Sequence, residues 1–121
     1  PEIIVRSVLH RLGYRFRLHR KDLPGKPDIV LPKYKTVIFV NGCFWHRHKG
    51  CSQTTTPKSN TAFWKKKFSD TVERDRRQQG LLQDAGWRVL VLWECQINQS
   101  EKFVSMVDVL VKAHGQTEIV A

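Results

Sequence analysis

The hydrophobic pattern changes period several times along the chain. In EIIVRSVLHRLG, residues 2–13, Val5, Val8, Leu9 and Leu12 recur at helical spacing. Pro1 and Glu2 suit a helix start through fixed φ and dipole complementarity, and Gly13 suits the left-handed residue after its end. YRFRLH, residues 14–19, alternates strictly and predicts a strand with one wet face. LPGKP, residues 23–27, is a turn or loop; residues 28–31 form a short apolar strand; PKYK, residues 32–35, is a second turn. TVIFV, residues 36–40, is a continuous, largely β-branched run, the pattern of a central strand buried on both faces. Residues 41–60 show no period and predict a loop that is ordered only if something staples it. A long helix follows over residues 61–84, with Asn60 or Ser59 as the candidate cap and Ala85-Gly86 at its close. WRVLVLWEC, residues 87–95, reads as another central strand. EKFVSMVDVLVKA, residues 101–113, reads as an amphipathic helix ending near Gly115. This order predicts an α/β fold: a mixed sheet flanked by helices on both faces, in a single domain spanning residues 1–121.

Charge adds the next constraint. Lys and Arg number 21 against 11 Asp and Glu, a net charge of +10. So strong a basic excess on a small domain points to a polyanionic partner, most often nucleic acid. No apolar run approaches the roughly 20 residues of a membrane span. The three cysteines, Cys43, Cys51 and Cys95, cannot all pair within the chain. With no signal-peptide pattern at the start, they suggest a reducing compartment and metal binding rather than a disulfide frame.

The loop sequence NGCFWHRHKGC, residues 41–51, fits neither a strand face nor a helix face. His48-x-x-Cys51 has the spacing of two ligands of one ion, and zinc takes about four such ligands. Cys95, at the end of the last strand, is a third candidate. Asp75 is a fourth, because helical spacing from Trp64, Phe68 and Val72 puts it on the inward face of the long helix. A buried carboxylate must be paired or must hold a metal, and Arg74, Arg76 and Arg77 offer the pairing alternative. His48, Cys51, Cys95 and Asp75 together would close a four-ligand site and order the loop. Cys43 reads as a small core residue. His46 is also a possible ligand, and spacing does not separate it from His48. His10, His19 and His114 read as surface residues.

Asp28 enters a strand directly after a Pro-rich turn. An acid at a strand mouth beside backbone carbonyls suits magnesium, which takes hard oxygen ligands and keeps waters. Ordinary turn chemistry explains an Asp there equally well. Phe44-Trp45 would either wedge into or stack on bases, or anchor the loop in the core.

Taken together, LPGKPDIVLPKYKTVIFVNGCFWHRHKGC, then FW, VERDRR and GWRVLVLWEC, resemble the Vsr family of very short patch repair endonucleases, in collinear order from Glu2 to Cys95. The resemblance implies a fold similar to restriction endonucleases with an added structural zinc site. It implies a magnesium-dependent enzyme that nicks DNA 5′ of the thymine in a T:G mismatch, the product of 5-methylcytosine deamination. Residue by residue, it implies that Asp28 is the metal-binding acid and that Val40 offers its backbone carbonyl to magnesium. His46 would be the catalytic histidine, and Glu2 an acid supporting the site. Asp75, His48, Cys51 and Cys95 would bind zinc, while Phe44 and Trp45 would enter the DNA beside the mismatch. Asn41 stands where family members often carry a second histidine, so an assisting catalytic contact differs here. A family segment that grips the mismatch is expected upstream of Glu2, and the likeness fades after Cys95. The implied partners are mismatched double-stranded DNA, a repair polymerase and mismatch-repair proteins, met by a monomeric enzyme in the bacterial cytoplasm at the nucleoid.

Three other functions fit the same residues. A zinc-stapled basic module would bind DNA and leave Asp28 idle. A restriction-type nuclease would cut perfectly paired duplex. A structural zinc protein with no nucleic-acid partner would lack salt-dependent DNA binding altogether.

Overall fold

The computed structural model describes residues 1–113 and the backbone of residues 118–119. In chain order it contains α1 (Glu2–Arg11), β1 (Arg17–Leu18), β2 (Ile29–Leu31), β3 (Thr36–Asn41), α2 (Cys43–His46), α3 (Thr61–Asp84), β4 (Arg88–Trp93), α4 (Glu101–Lys112) and β5 (Glu118–Ile119). The strands form one mixed sheet in the order β1-β2-β3-β4-β5. β1 to β3 are antiparallel neighbours, whereas β3, β4 and β5 run parallel. α3 lies between β3 and β4 in the chain and supplies the long crossover that a parallel pair requires.

Strand alternation divides the core into two layers. Ile29, Leu31, Ile38, Leu90 and Leu92 pack with Val5, Val8 and Leu9 of α1 and with Phe103, Val104, Val107 and Val111 of α4. Their strand neighbours Val30, Val37, Val89, Val91 and Trp93 pack on the other side with Leu82 of α3 and with Cys43. β2 and most of β4 are buried throughout, as continuous apolar runs predict for strands covered on both faces.

Three expectations need adjustment. The strand over 14–19 contracts to Arg17–Leu18, both exposed. Tyr14 instead turns into the core, and its hydroxyl donates to Asp108 of α4 at 2.6 Å. Asn60 occupies the cap position of α3 in a left-handed conformation and makes no side-chain cap bond; Ser100 caps α4 properly, accepting from the Phe103 N–H at 3.2 Å. Within the aperiodic 41–60 stretch, residues Cys43–His46 form a single helical turn, too short to leave a period in the sequence. His114 and Gly115 lie outside the described residues.

Candidate active site and metal centre

The NGCFWHRHKGC stretch leaves the end of β3, makes the single turn of α2, and doubles back at Arg47 and Gly50, both at positive φ. That path brings Cys43, His48 and Cys51 against Cys95, which follows β4. One ligand atom from each of the four lies within 4.8 Å of every other. His48 Nδ1 is 3.7 Å from Cys43 Sγ and 3.4 Å from Cys95 Sγ. The His48 ring stacks on Trp93 at 4.3 Å, and Thr54 Oγ1 donates to the His48 backbone carbonyl at 2.7 Å, so both ring and backbone are held. The thiols are in conflict over charge. The Gln53 backbone amide is the chief cause that lowers the Cys51 pKa, while burial and then the Cys43 and Cys51 thiols push Cys95 up to about 12. A bound cation resolves such a conflict by holding thiolates outright.

Asp75 is not among these four. His46 Nδ1–H donates to Asp75 Oδ2 at 2.5 Å, and Arg74 Nη2 approaches the other oxygen at 3.7 Å. The candidate cluster thus differs from the expected zinc set by one member: Cys43 stands in it and Asp75 does not. The reason is geometric. Asp75 does face inward from α3, but the face it meets is α2, where the last residue of the turn is His46. Cys43 is fully buried, as expected of a core residue, yet its sulfur borders the cluster. The spacing of Cys43, His48 and Cys51 was the available signal for it.

A second group of ligand-type side chains forms where the N-terminus of α1 meets the start of β2. Glu2, His19 and Asp28 place one ligand atom each within 4.8 Å of one another. Glu2 Oε2 accepts from Arg6 and lies 3.2 Å from His19 Nε2. Burial works to raise the Glu2 pKa, but Arg6 and His19 outweigh it and hold the group low. Asp28 goes the other way. Burial, helped by the nearby Glu2 carboxylate, pushes its pKa up against a hydrogen bond from the Val40 backbone N–H at 2.7 Å. That bond ties Asp28 to the end of β3, as their adjacent strands predict. His19 is exposed, as expected, but it belongs to this group rather than to a featureless surface.

Asp28, Val40, Asn41, His46 and Asp75 line one cleft of about 490 Å³. Its rim carries Lys21, Lys26 and Arg74, and α3 adds Gln78 and Gln79. Asn41 is almost fully buried at its floor. The cleft thus combines an acid with an elevated pKa, an oriented imidazole and three cations. Such a constellation suits hydrolysis of an anionic ester.

The family model for DNA mismatch endonuclease Vsr matches residues 1–53. The type II nicking enzyme V.XorIIP of Xanthomonas oryzae is 53% identical over 98 residues, covering 81% of this chain and 71% of that protein. The type II nicking enzyme V.NmeAIP of Neisseria meningitidis is 47% identical, covering 80% and 69%. The DNA mismatch endonuclease Vsr of Escherichia coli is also 47% identical, covering 79% and 61%. The chain belongs to the Vsr family. It is therefore an endonuclease, and the nuclease chemistry of the family implies use of a divalent metal.

In this Vsr-family chain the aromatic pair of the loop is split between two environments. Phe44 is partly buried and meets Trp45, Trp64 and Phe68 edge-on at 5.2–6.0 Å. Trp45 is 47% exposed, and Phe63, which packs on Trp64 of α3, is 60% exposed. The Arg47 guanidinium lies 3.8 Å from the Phe68 ring centroid and donates to the carbonyls of Phe44 and Thr55. One residue of the expected pair anchors the loop and the other is presented outward.

Proposed function

We propose that this chain nicks double-stranded DNA on the 5′ side of the thymine in a T:G mismatch, using magnesium in the cleft and zinc in the thiol cluster. The observation that carries the reading is the convergence of Asp28 and the His46–Asp75 pair on one cation-rimmed cleft. The names of the relatives, a mismatch endonuclease and nicking enzymes, supply the substrate class. The mixed sheet with helices on both faces is compatible with a restriction-endonuclease-like architecture.

The donor sets suit two different ions. Zinc–sulfur and zinc–nitrogen bonds of about 2.3 and 2.0 Å at the tetrahedral angle put a sulfur and a nitrogen ligand about 3.5 Å apart. The two His48–cysteine separations, 3.4 and 3.7 Å, bracket that value. Cys43, His48, Cys51 and Cys95 would leave no open position, so this ion would be structural, pinning α2 and with it His46. The carboxylates of Asp28 and Glu2 are hard oxygen donors, and the Val40 carbonyl at the end of β3 would add a third. A divalent cation held there would neutralise phosphate charge and acidify a water.

The remaining chemistry belongs to the chain itself. Asp75 fixes the His46 ring with Nδ1 protonated, which leaves Nε2 to accept a proton from the attacking water. Asn41 has amide donors and acceptors but cannot take a proton, so any contribution it makes is a hydrogen bond. Lys21, Lys26 and Arg74 would position the phosphate backbone without reading sequence. Trp45, backed by Phe44, would enter the base stack beside the mismatch, where unstacking is least costly.

A strand-specific nicking assay tests this directly. A labelled duplex with one T:G mismatch should be cut 5′ of the thymine with magnesium and left intact without it. A matched T:A duplex should survive under both conditions. Equal cutting of the matched duplex would instead identify a restriction-type nuclease, and binding without cutting a DNA-binding module.

A further inference from the structure

His19 has no part in the chemistry described so far, yet its position is specific. It directly follows β1, and its backbone N–H donates to the Asp28 carbonyl at 3.2 Å, so the two residues face each other across the end of the β1–β2 pair. Its φ is +50°, a left-handed conformation that side-chain-bearing residues adopt only at a cost and that gathers at functional sites. With the backbone turned in this way, the imidazole meets α1: Nε2 lies 3.2 Å from Glu2 Oε2, and one ring nitrogen lies within 4.8 Å of a carboxylate oxygen of both Glu2 and Asp28. Adjacent corners of an octahedral site with bonds of about 2.05 Å are about 2.9 Å apart, and opposite corners about 4.1 Å. The His19–Glu2 separation falls between those two values, and the 4.8 Å limit on the other two is little longer than the larger one.

A surface ion pair between His19 and Glu2 is the simpler account, with side chains 54% and 24% exposed. It explains one contact. It does not explain why the imidazole and both carboxylates converge, or why the chain adopts a left-handed residue to bring them together.

We propose that His19 is a ligand of the divalent metal held by Asp28 and Glu2, and that its nitrogen donor tilts the site toward manganese-like ions over magnesium. The inference rests on reading Asp28 and Glu2 as the metal-binding acids. Magnesium prefers oxygen donors and gives up its waters reluctantly. Ions later in the first transition row gain progressively more from an imidazole.

The test measures metal binding on the zinc-loaded protein without DNA. Manganese is titrated and followed by the electron paramagnetic resonance signal of the free ion; magnesium is measured by competition. Wild type is compared with His19→Asn, which tolerates the left-handed backbone, and with His19→Ala. Asp28→Asn is the control. Zinc content and far-UV circular dichroism confirm that each variant is folded. Loss of the nitrogen ligand should weaken manganese binding by about tenfold or more and magnesium binding by much less, so that the preference collapses. Equal weakening of both ions would make His19 a structural partner of Glu2 and overturn the proposal, as would no change in either. Manganese binding to Asp28→Asn at wild-type strength would remove the underlying reading of the acids, a failure distinct from that of His19.

Discussion

Asp28 concentrates the opposition between stability and function in one side chain. Its pKa is raised in the folded protein by burial and by Glu2. The folded state therefore holds this proton more tightly than the unfolded chain does. As pH rises from the ordinary carboxylate range through the folded pKa, the group withdraws stability from the metal-free protein. Asp28→Asn should thus raise the melting temperature at neutral pH without added magnesium, with the difference from wild type vanishing at acid pH. The same variant should lose nicking by about a thousandfold or more if the carboxylate holds the metal. A variant that melts lower at pH 7 would show that Asp28 is a structural acid. Asp75 makes a second prediction at this scale. Asp75→Asn should cut about 10²–10⁴ times more slowly, because the amide no longer fixes the His46 tautomer. It should keep its zinc and its affinity for DNA. Loss of zinc from this variant would return Asp75 to the metal set.

Two of the elements depend on contacts that sequence periodicity does not report. The single turn of α2 is far below the length at which a helix is stable alone. Arg47 holds it by clipping residues 44, 55 and 56, and an ion bound by Cys43 and His48 would hold it further. Cys43→Ser should therefore abolish zinc retention and lower thermal stability. Limited proteolysis should then cut within residues 42–57 before the rest of the chain. A variant that keeps zinc and resists the protease would exclude Cys43 as a ligand. On the opposite face, the Tyr14 hydroxyl and Lys112 hold the Asp108 carboxyl below its usual range. A depressed carboxylate pKa contributes stability above the unfolded value, and that stability is lost as pH falls through the folded one. Tyr14→Phe should melt lower than wild type at pH 7 and lose less on acidification. Parallel acid titrations of the two melting temperatures would show that Asp108 is uncoupled from Tyr14.

At the scale of the whole molecule, charge and sheet architecture act together. The sheet brings the end of β3 and the start of β2 to one edge of the cleft, and α3 supplies Arg74 and the two glutamines opposite. A net charge of +10 makes binding to DNA strongly dependent on salt. Each phosphate neutralised contributes about −0.9 to the slope of log affinity against log salt. Lys26→Ala or Arg74→Ala should each reduce that slope by about one while leaving the preference for the mismatch intact. An unchanged slope would remove the cleft rim from the DNA path. None of the described helices is long and apolar enough to cross a membrane.

Periodicity alone determined the class of the fold, the two central strands and the bounds of α3, because burial on both faces and a long helix each leave a repeating trace in the residues. Residue chemistry alone offered His48, Cys51, Cys95 and Asp75 as metal candidates and left Asp28 and His46 open, and the family resemblance gave those two their expected roles. Only the tertiary structure decided which of them meet. Asp75 and Cys43 exchanged their expected places because spacing along one helix says which way a side chain points but not what stands opposite it. His19 joined the two acids through a left-handed backbone turn at the end of a strand, and a backbone angle that ordinary residues seldom adopt has no pattern of hydrophobic and polar positions to announce it.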